Sequence, residues 1–207
     1  MEGQKKHGKP PCRFKIPLTK SSYNLLTENF SGQSDWSQVI YVYFDTDRSQ
    51  DEAKLFATNL RLRVRIKGER YSLELKYQPL EDRWEFFQKL TLAEFHGLMQ
   101  GDFPAGEIRQ RLEGIISLTT LRWVGAANTI RQKISFQNGV LVLDQTSLAG
   151  NTYYQVEFRS EVETEPAQIE IIHGWLDSLV GEDTSSPSKL DELWATRAYR
   201  QKSKTQI

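Results

Sequence analysis

The sequence lacks the features that mark secreted and membrane-spanning proteins. Its 207 residues contain one cysteine, Cys12, so no disulfide can form within the chain, which fits a reducing compartment. No apolar run approaches the roughly 20 residues that a membrane helix requires. Residues 1–9 are polar and basic and precede no apolar stretch, which predicts that the chain carries no secretory signal. We therefore expect a cytoplasmic protein that does not interact with membranes.

The chain also lacks an excess of charge of either sign. Lys and Arg together number 27, Asp and Glu together number 27, and the formal net charge is zero. Proteins that bind nucleic acid in bulk usually carry a basic surplus, so we do not expect this class. The hydrophobic content of 38% and the charged content of 26% are typical of a globular domain. Any anion-binding site must therefore arise from local sorting of charge.

Several common catalytic motifs are missing as well. The sequence contains no glycine-rich phosphate loop and no Ser, His and Asp series of the hydrolase type. His7, His96 and His173 lack the spacing of metal ligands, and Cys12 at the start of a strand is expected to be structural. The five tryptophans are too scattered for a stacking platform, which favours positions in the core or at its rim.

No linker rich in Pro, Gly or Ser divides the chain, which predicts one domain over residues 12–199. Residues 1–11 are expected to form a flexible basic tail, and residues 200–207 a second tail. Period-2 alternation predicts strands that outnumber the helices, and Asn-Gly at 138–139 predicts a hairpin turn. The predicted strands are 39–44, 60–66, 71–77, 129–136, 140–143 and 153–162. The predicted helices are 19–29, 91–99 with a capping box, 106–118, 166–180 and 187–199.

Basic residues alternate with apolar residues along these strands. At 60–67, Arg61, Arg63, Arg65 and Lys67 share one face, because successive side chains of a strand point to opposite faces. For one strand a solvated charged face is the simplest explanation. Across all the strands, however, basic residues outnumber acidic ones on the polar faces. The basic set is Arg13, Lys15, Arg61, Arg63, Arg65, Lys67, Lys76, Arg131, Lys133 and Arg159, and the acidic set is Glu74, Glu157 and Glu161.

Cations this close together repel one another unless an anion screens them. The planar guanidinium of arginine donates two parallel hydrogen bonds to phosphate oxygens, so it suits this task. The pattern therefore favours a bound polyanion, with a phosphate-rich small molecule or polyphosphate as the expected partner.

The motifs resemble, in their order along the chain, those of the CYTH or triphosphate tunnel metalloenzyme superfamily. They are Tyr-Phe-Asp-Thr at 43–46, Leu-Arg-Val-Arg at 62–65, Leu-Glu-Leu-Lys at 73–76, Thr-Ile-Arg at 129–131, Leu-Asp at 143–144, Tyr-Gln-Val-Glu at 154–157 and Ser-Lys at 188–189. The resemblance covers roughly residues 13–198. It implies a mainly β (α+β) fold, an eight-stranded antiparallel tunnel barrel with flanking helices. It also implies hydrolysis of triphosphates or polyphosphate, or cyclisation of ATP, usually with Mg²⁺ or Mn²⁺.

The resemblance also implies roles for individual residues. Glu157 would be one acid of the metal-binding pair, and Glu157 and Lys76 are the residues expected to act in catalysis. Arg61, Lys133 and Arg159, which share the polar faces, are expected to add to substrate binding. The phosphate ligands implied by the motifs are Lys15, Arg63, Arg65, Lys76, Arg131 and Lys189.

The first-strand Glu-x-Glu-x-Lys motif of the family is altered in this chain. Pro11 and Arg13 stand where the family has glutamates, and Arg159 replaces an acid of the late strand. A hard dication prefers several carboxylate or water oxygens, so the remaining acids predict a weak metal site or none. These acids are Glu157, Glu74 and Asp144.

Three functional hypotheses follow. The first is a phosphate-binding protein in which metal-dependent hydrolysis is weak or lost. The second is an active Mg²⁺- or Mn²⁺-dependent triphosphatase that uses Glu157 and other acids. The third is an interaction module for an acidic partner or an RNA end. The phosphate ligand and the oligomeric state, a homodimer included, stay open.

Overall fold

The computed structural model describes residues 4–5, 12–32, 34–46, 55, 58–77, 84–160 and 166–178. These residues form nine strands, four α-helices and a short 3-10 turn at Leu118–Thr120. The strands are β1 Gln4–Lys5, β2 Cys12–Leu18, β3 Ser34–Thr46, β4 Leu60–Lys67, β5 Arg70–Tyr77, β6 Trp84–Leu90, β7 Leu121–Phe136, β8 Gly139–Leu148 and β9 Asn151–Ser160. The helices are α1 Lys20–Asn29, α2 Leu92–Gln100, α3 Glu107–Glu113 and α4 Pro166–Ser178. None of these helices is both long and apolar enough to cross a membrane.

The capping signals in the sequence set the starts of the first two helices. The Thr19 hydroxyl accepts a hydrogen bond from the Ser22 amide at 3.1 Å, and α1 begins at the next residue after Thr19. Thr91 and Glu94 form the predicted capping box at the start of α2. The predicted helix at 106–118 is wrong in length, because α3 ends at Glu113 with Gly114 as its C-cap. The helix expected at 187–199 lies outside the described residues.

The strand predictions are confirmed in position, with differences in extent. Both β3 and β7 are longer than the alternating runs that predicted them, and β6 was not predicted. The adjacent Phe86 and Phe87 interrupt the alternation of β6, which removes the pattern that identifies a strand. Gln4 and Lys5, within the expected N-terminal tail, pair with Phe87 and Phe86 as β1.

The described residues fall into two compact units. The first contains residues 4–5 and 39–127, and its strands are hydrogen-bonded in the order β1-β6-β5-β4-β3. The second contains residues 12–38 and 128–178 as far as they are described, and its order is β7-β8-β9-β2. The pairs β1–β6, β5–β6, β4–β5, β3–β4, β8–β9 and β2–β9 are all antiparallel. The predicted α+β class, in which antiparallel strands predominate, is confirmed.

In the first unit one face of the strands packs beneath α2 and α3. Leu73 and Leu75 of β5 are fully buried, as is Leu112 of α3. They belong to one apolar cluster that also includes Leu98 of α2. Burial of each such side chain contributes about 1.5–3 kcal/mol, so this face is fixed toward the helices. The charged residues of β4 and β5 therefore occupy the opposite face.

In the second unit α1 and α4 cover the apolar face of β2, β8 and β9. Leu26 of α1 and Leu176 of α4 share one buried cluster with Val156 and Phe158 of β9. The expected apolar face of β7 is only partly confirmed, since Ile134 is buried whereas Ile130 is 42% exposed. The charged residues of β2 and β9 lie on the face away from these helices.

Two glycines of the second unit should respond oppositely to alanine. A β-carbon at Gly139 would lie 2.5 Å from the Arg159 carbonyl oxygen, whereas one at Gly174 in α4 meets no atom within 4 Å. We expect Gly139→Ala to lower the free energy of unfolding by about 1–3 kcal/mol through overpacking. Gly174→Ala should raise it by up to about 1 kcal/mol through helix propensity. Urea unfolding measures both, and equal effects would contradict this account of Gly139.

Candidate functional site

The first unit contains a buried group of charged residues on β4, β5 and β6, here called the Arg63 cluster: Arg63, Glu74, Lys76 and Glu85. Arg63 Nε and Nη2 donate to Glu74 Oε2 at 2.8 and 2.7 Å. Lys76 Nζ lies 2.8 Å from Glu85 Oε1 and 3.9 Å from Glu74 Oε2. The side chains of Arg63 and Lys76 are only 20% and 12% exposed. These charged side chains are therefore largely shielded from solvent, in contrast to the solvated charged face that is the simplest expectation for a single strand.

The two cations of this cluster have pKa values shifted in opposite directions. Burial tends to lower the pKa of Arg63, but Glu74 and the nearby Tyr43 and Tyr41 raise it above its usual value. Burial, and then the positive charge of Arg63, lower the pKa of Lys76 despite Glu74 and Glu85. The Arg63 guanidinium also stacks 4.1 Å from the centre of the Tyr41 ring. An anion placed beside these two cations would stabilise both charged forms.

Strand pairing adds two more arginines to the same face. Arg61 lies opposite Lys76, and Arg65 lies opposite Ser72. Directly opposed residues of an antiparallel pair project to the same side of the sheet, so Arg61 and Arg65 flank Arg63. Both are partly buried, whereas Lys67 at the hairpin is exposed.

The second unit contains a buried carboxylate surrounded by cations, here called the Glu157 cluster: Glu157, Arg13, Lys15 and Arg159. Arg13 Nε donates to Glu157 Oε1, and Arg159 Nη2 donates to Oε2 at 2.6 Å. Lys15 Nζ lies 3.9 Å from Oε2, and Glu157 is fully buried. Burial alone would raise the pKa of Glu157, but the hydrogen bond from Arg159 and the nearby cations lower it to about 2.

A second buried carboxylate of this unit is also held by an arginine. Arg131 Nε and Nη2 donate to Asp144 Oδ1 and Oδ2 at 2.6 and 2.7 Å. Gln155 Nε2 donates to Asp144 Oδ2 at 2.9 Å. Asp144 is 1% exposed, and this bidentate geometry is the strongest that an arginine–carboxylate pair adopts.

The structure brings together most of the residues that the sequence singled out. One face of the first unit carries Arg61, Arg63, Arg65, Lys76 and Glu74. In the second unit Glu157 contacts both Lys15 and Arg159. Arg131 binds Asp144 in the same unit. Lys133 is exposed, while Lys189 and Glu161 lie outside the described residues.

Two residues in contact within the Arg63 cluster were not identified from the sequence. Glu85 lies on β6, the strand that was not predicted, so its ion pair with Lys76 could not be anticipated. Tyr41 lies two residues before Tyr43 on β3, and period-2 alternation along that strand could have placed it on this face.

Each of the three predicted metal ligands is already bound by arginine. Glu157 binds Arg13 and Arg159, Asp144 binds Arg131, and Glu74 binds Arg63. Within the described ranges no group of three or more His, Cys, Asp or Glu side chains is placed to hold a metal. Mg²⁺ and Mn²⁺ require several oxygen ligands, and the carboxylates here already neutralise arginines. The described residues therefore do not fit the metal that the resemblance implies.

Comparison with known proteins agrees with the motif resemblance. The model of the CYTH domain family matches residues 13–186. YjbK of Bacillus subtilis (strain 168), named as a candidate triphosphatase, is 28% identical over 149 residues, covering 71% of this chain and 75% of YjbK.

Two solved structures share the fold over most of their length. A candidate adenylate cyclase from Bacillus halodurans superposes with a TM-score of 0.69 and 24% identity, covering 85% of this chain and 93% of that one. HpAC1 from Hippeastrum, a candidate adenylyl cyclase described as having a dominant triphosphatase activity, gives a TM-score of 0.70 and 19% identity, with coverage of 88% and 94%. At these identities the likeness establishes the fold, and it confirms the fold class expected from the sequence.

Proposed function

The chain belongs to the CYTH domain family, and from this premise we propose that it binds triphosphate, polyphosphate or another organic phosphate, with metal-dependent hydrolysis weak or lost. The observation that carries the proposal is the surplus of cations around buried acids. Arg13, Lys15 and Arg159 surround Glu157 as the single carboxylate of their cluster. The triphosphatase names of YjbK and HpAC1 support the same ligand class.

Cations also outnumber acids on the charged face of the first unit. Arg61, Arg63, Arg65 and Lys76 share the face on which Glu74 and Glu85 are the neighbouring acids. Partly buried cations interact more strongly with an anion than exposed ones, because water screens them less. A chain of linked phosphates supplies several oxygens for these arginine donors.

Weak hydrolysis follows from the same contacts. The family metal would both neutralise the phosphates and activate a water molecule, and arginine replaces only the first of these roles. Glu157, with its pKa lowered to about 2 and both oxygens engaged, is a poor general base. Lys76 is proposed to contact a phosphate oxygen as a cation.

Thermal melting with tripolyphosphate, ATP and pyrophosphate, each with and without Mg²⁺ or Mn²⁺, tests the proposal. A ligand present at a hundred times its dissociation constant stabilises the folded state by about 2.7 kcal/mol. For a chain of this size, that raises the melting temperature by roughly 5–10 °C. Sulfate at equal ionic strength is the control. We expect a shift without metal, and little phosphate release in the same samples.

The other outcomes identify the competing hypotheses. A shift that requires metal and is accompanied by turnover would establish an active triphosphatase. The absence of any shift in a folded sample would refute phosphate binding. An interaction module for RNA or an acidic protein would then be favoured if binding rose with chain length and fell steeply with salt.

A further inference from the structure

The Glu157 cluster holds cationic groups where the family resemblance places carboxylates. Arg13 occupies the position of a first-strand glutamate, and β2 pairs with β9 so that Arg13 lies opposite Arg159 and Lys15 lies opposite Glu157. Both oxygens of Glu157 accept hydrogen bonds from these arginines. No lone carboxylate is therefore left in the cluster for a divalent cation.

Electrostatics oppose a metal ion in this cluster. A doubly charged cation near Glu157 would be repelled by Arg13, Lys15 and Arg159 at short range, and attracted by one carboxylate. A dication would have to displace at least one arginine to gain an oxygen ligand.

The same cations retain capacity for an anion. The side chains of Arg13, Arg159 and Lys15 are 38%, 31% and 50% exposed, so all three are partly accessible from solvent. The buried Nε of Arg159 has no hydrogen-bond acceptor among the residues that the structure describes. Three cations surround a single carboxylate, so the cluster carries a net positive charge that attracts an anion.

We infer that the Glu157 cluster takes the metal-free form of a polyphosphate and that Mg²⁺ antagonises binding by sequestering the ligand. The inference rests on the proposed function. A magnesium complex has less negative charge, and some of its phosphate oxygens are already coordinated, so it offers the arginines a weaker partner. Mg²⁺ would thus lower the fraction of protein that holds the polyphosphate, whereas a metal cofactor would raise it.

Calorimetric titration with tripolyphosphate tests this inference. The full-length protein is titrated in chelator and then at increasing MgCl₂, with KCl holding the ionic strength constant. When nine-tenths of the ligand is complexed, the apparent affinity should fall about tenfold, because only the free fraction binds. Affinity that is unchanged or increased by Mg²⁺ would overturn the inference and leave the proposed function intact. An absence of binding at every Mg²⁺ concentration would overturn both.

Arg13→Glu provides the second measurement. This variant places a carboxylate beside Glu157, and we expect Mg²⁺ to strengthen its binding of tripolyphosphate instead of weakening it. Arg70→Glu, which changes an exposed arginine of β5, is the charge-matched control and should retain the antagonism. Thermal melts establish that each variant is folded. If Mg²⁺ acts identically on Arg13→Glu and Arg70→Glu, the cluster does not determine the response and the inference fails.

Discussion

Glu157→Gln is expected to lower the free energy of unfolding by about 3 kcal/mol and, at the same time, to tighten the binding of tripolyphosphate. The stability loss arises because Arg13, Lys15 and Arg159 would remain close together without their buried counter-charge. Removal of one partner of a buried ion pair typically costs about 3–5 kcal/mol, and the partial exposure of these cations favours the lower end. Urea unfolding measures the loss, and Glu28→Gln, at an exposed position of α1, is the control.

The binding of tripolyphosphate by Glu157→Gln distinguishes two functions, because they predict affinity changes of opposite sign. If Glu157 only balances cations, its neutralisation increases the positive charge available to phosphate, and the dissociation constant falls. If Glu157 is instead a metal ligand of an active triphosphatase, the variant should lose metal-dependent binding and turnover. Weaker binding of metal-free tripolyphosphate by Glu157→Gln would contradict our account.

The same residue predicts the acid sensitivity of the protein. The pKa of Glu157 is lowered to about 2 in the folded state, from an ordinary value near 4.5. A lowered carboxylate pKa contributes stability above the unfolded value, and this stability is lost as the pH falls toward the folded value. Wild-type protein should therefore lose about 3 kcal/mol from this group between pH 4.5 and 2. Glu157→Gln should lack that component of the pH profile.

Arg63→Met is expected to cost about 3 kcal/mol of stability and to weaken tripolyphosphate binding by at least about tenfold. Glu74, only 3% exposed, would lose both hydrogen bonds from Arg63 and retain Lys76 at 3.9 Å. The cost is that of leaving a buried charge poorly compensated. The affinity loss follows from removal of a partly buried positive charge beside the ligand, and a tenfold change in affinity corresponds to about 1.4 kcal/mol. Denaturant melts and calorimetry measure the two effects.

Two further variants separate charge from geometry at this position. Arg63→Lys keeps the positive charge but loses the planar fork, so stability should recover in part while affinity remains reduced. Arg70→Met removes an exposed arginine of β5 and should change the stability by less than about 0.5 kcal/mol. Wild-type affinity in Arg63→Met would exclude the Arg63 cluster from the ligand site.

Local sequence signals determined much of the fold. Alternation at 60–67 defined the strand β4 and placed its arginines on one face, since side-chain direction follows directly from the extended backbone. Thr19 and Thr91 marked the starts of α1 and α2, because a hydroxyl before a helix satisfies an amide within the next few residues. The order of short motifs along the chain identified the family, as the family match over residues 13–186 confirmed.

The tertiary structure decided which charges meet. Arg13 and Glu157 are separated by 144 positions, and only the pairing of β2 with β9 brings them together. Alternation assigns a side chain to a face, but it gives neither the neighbouring strand nor the register, which depend on packing across the whole core. The sequence by itself therefore determined that cations share a face, whereas the tertiary structure decided that these cations bind the buried acids that were expected to bind metal. Burial and partner identity set the pKa and the strength of an ion pair, and both depend on distant parts of the chain.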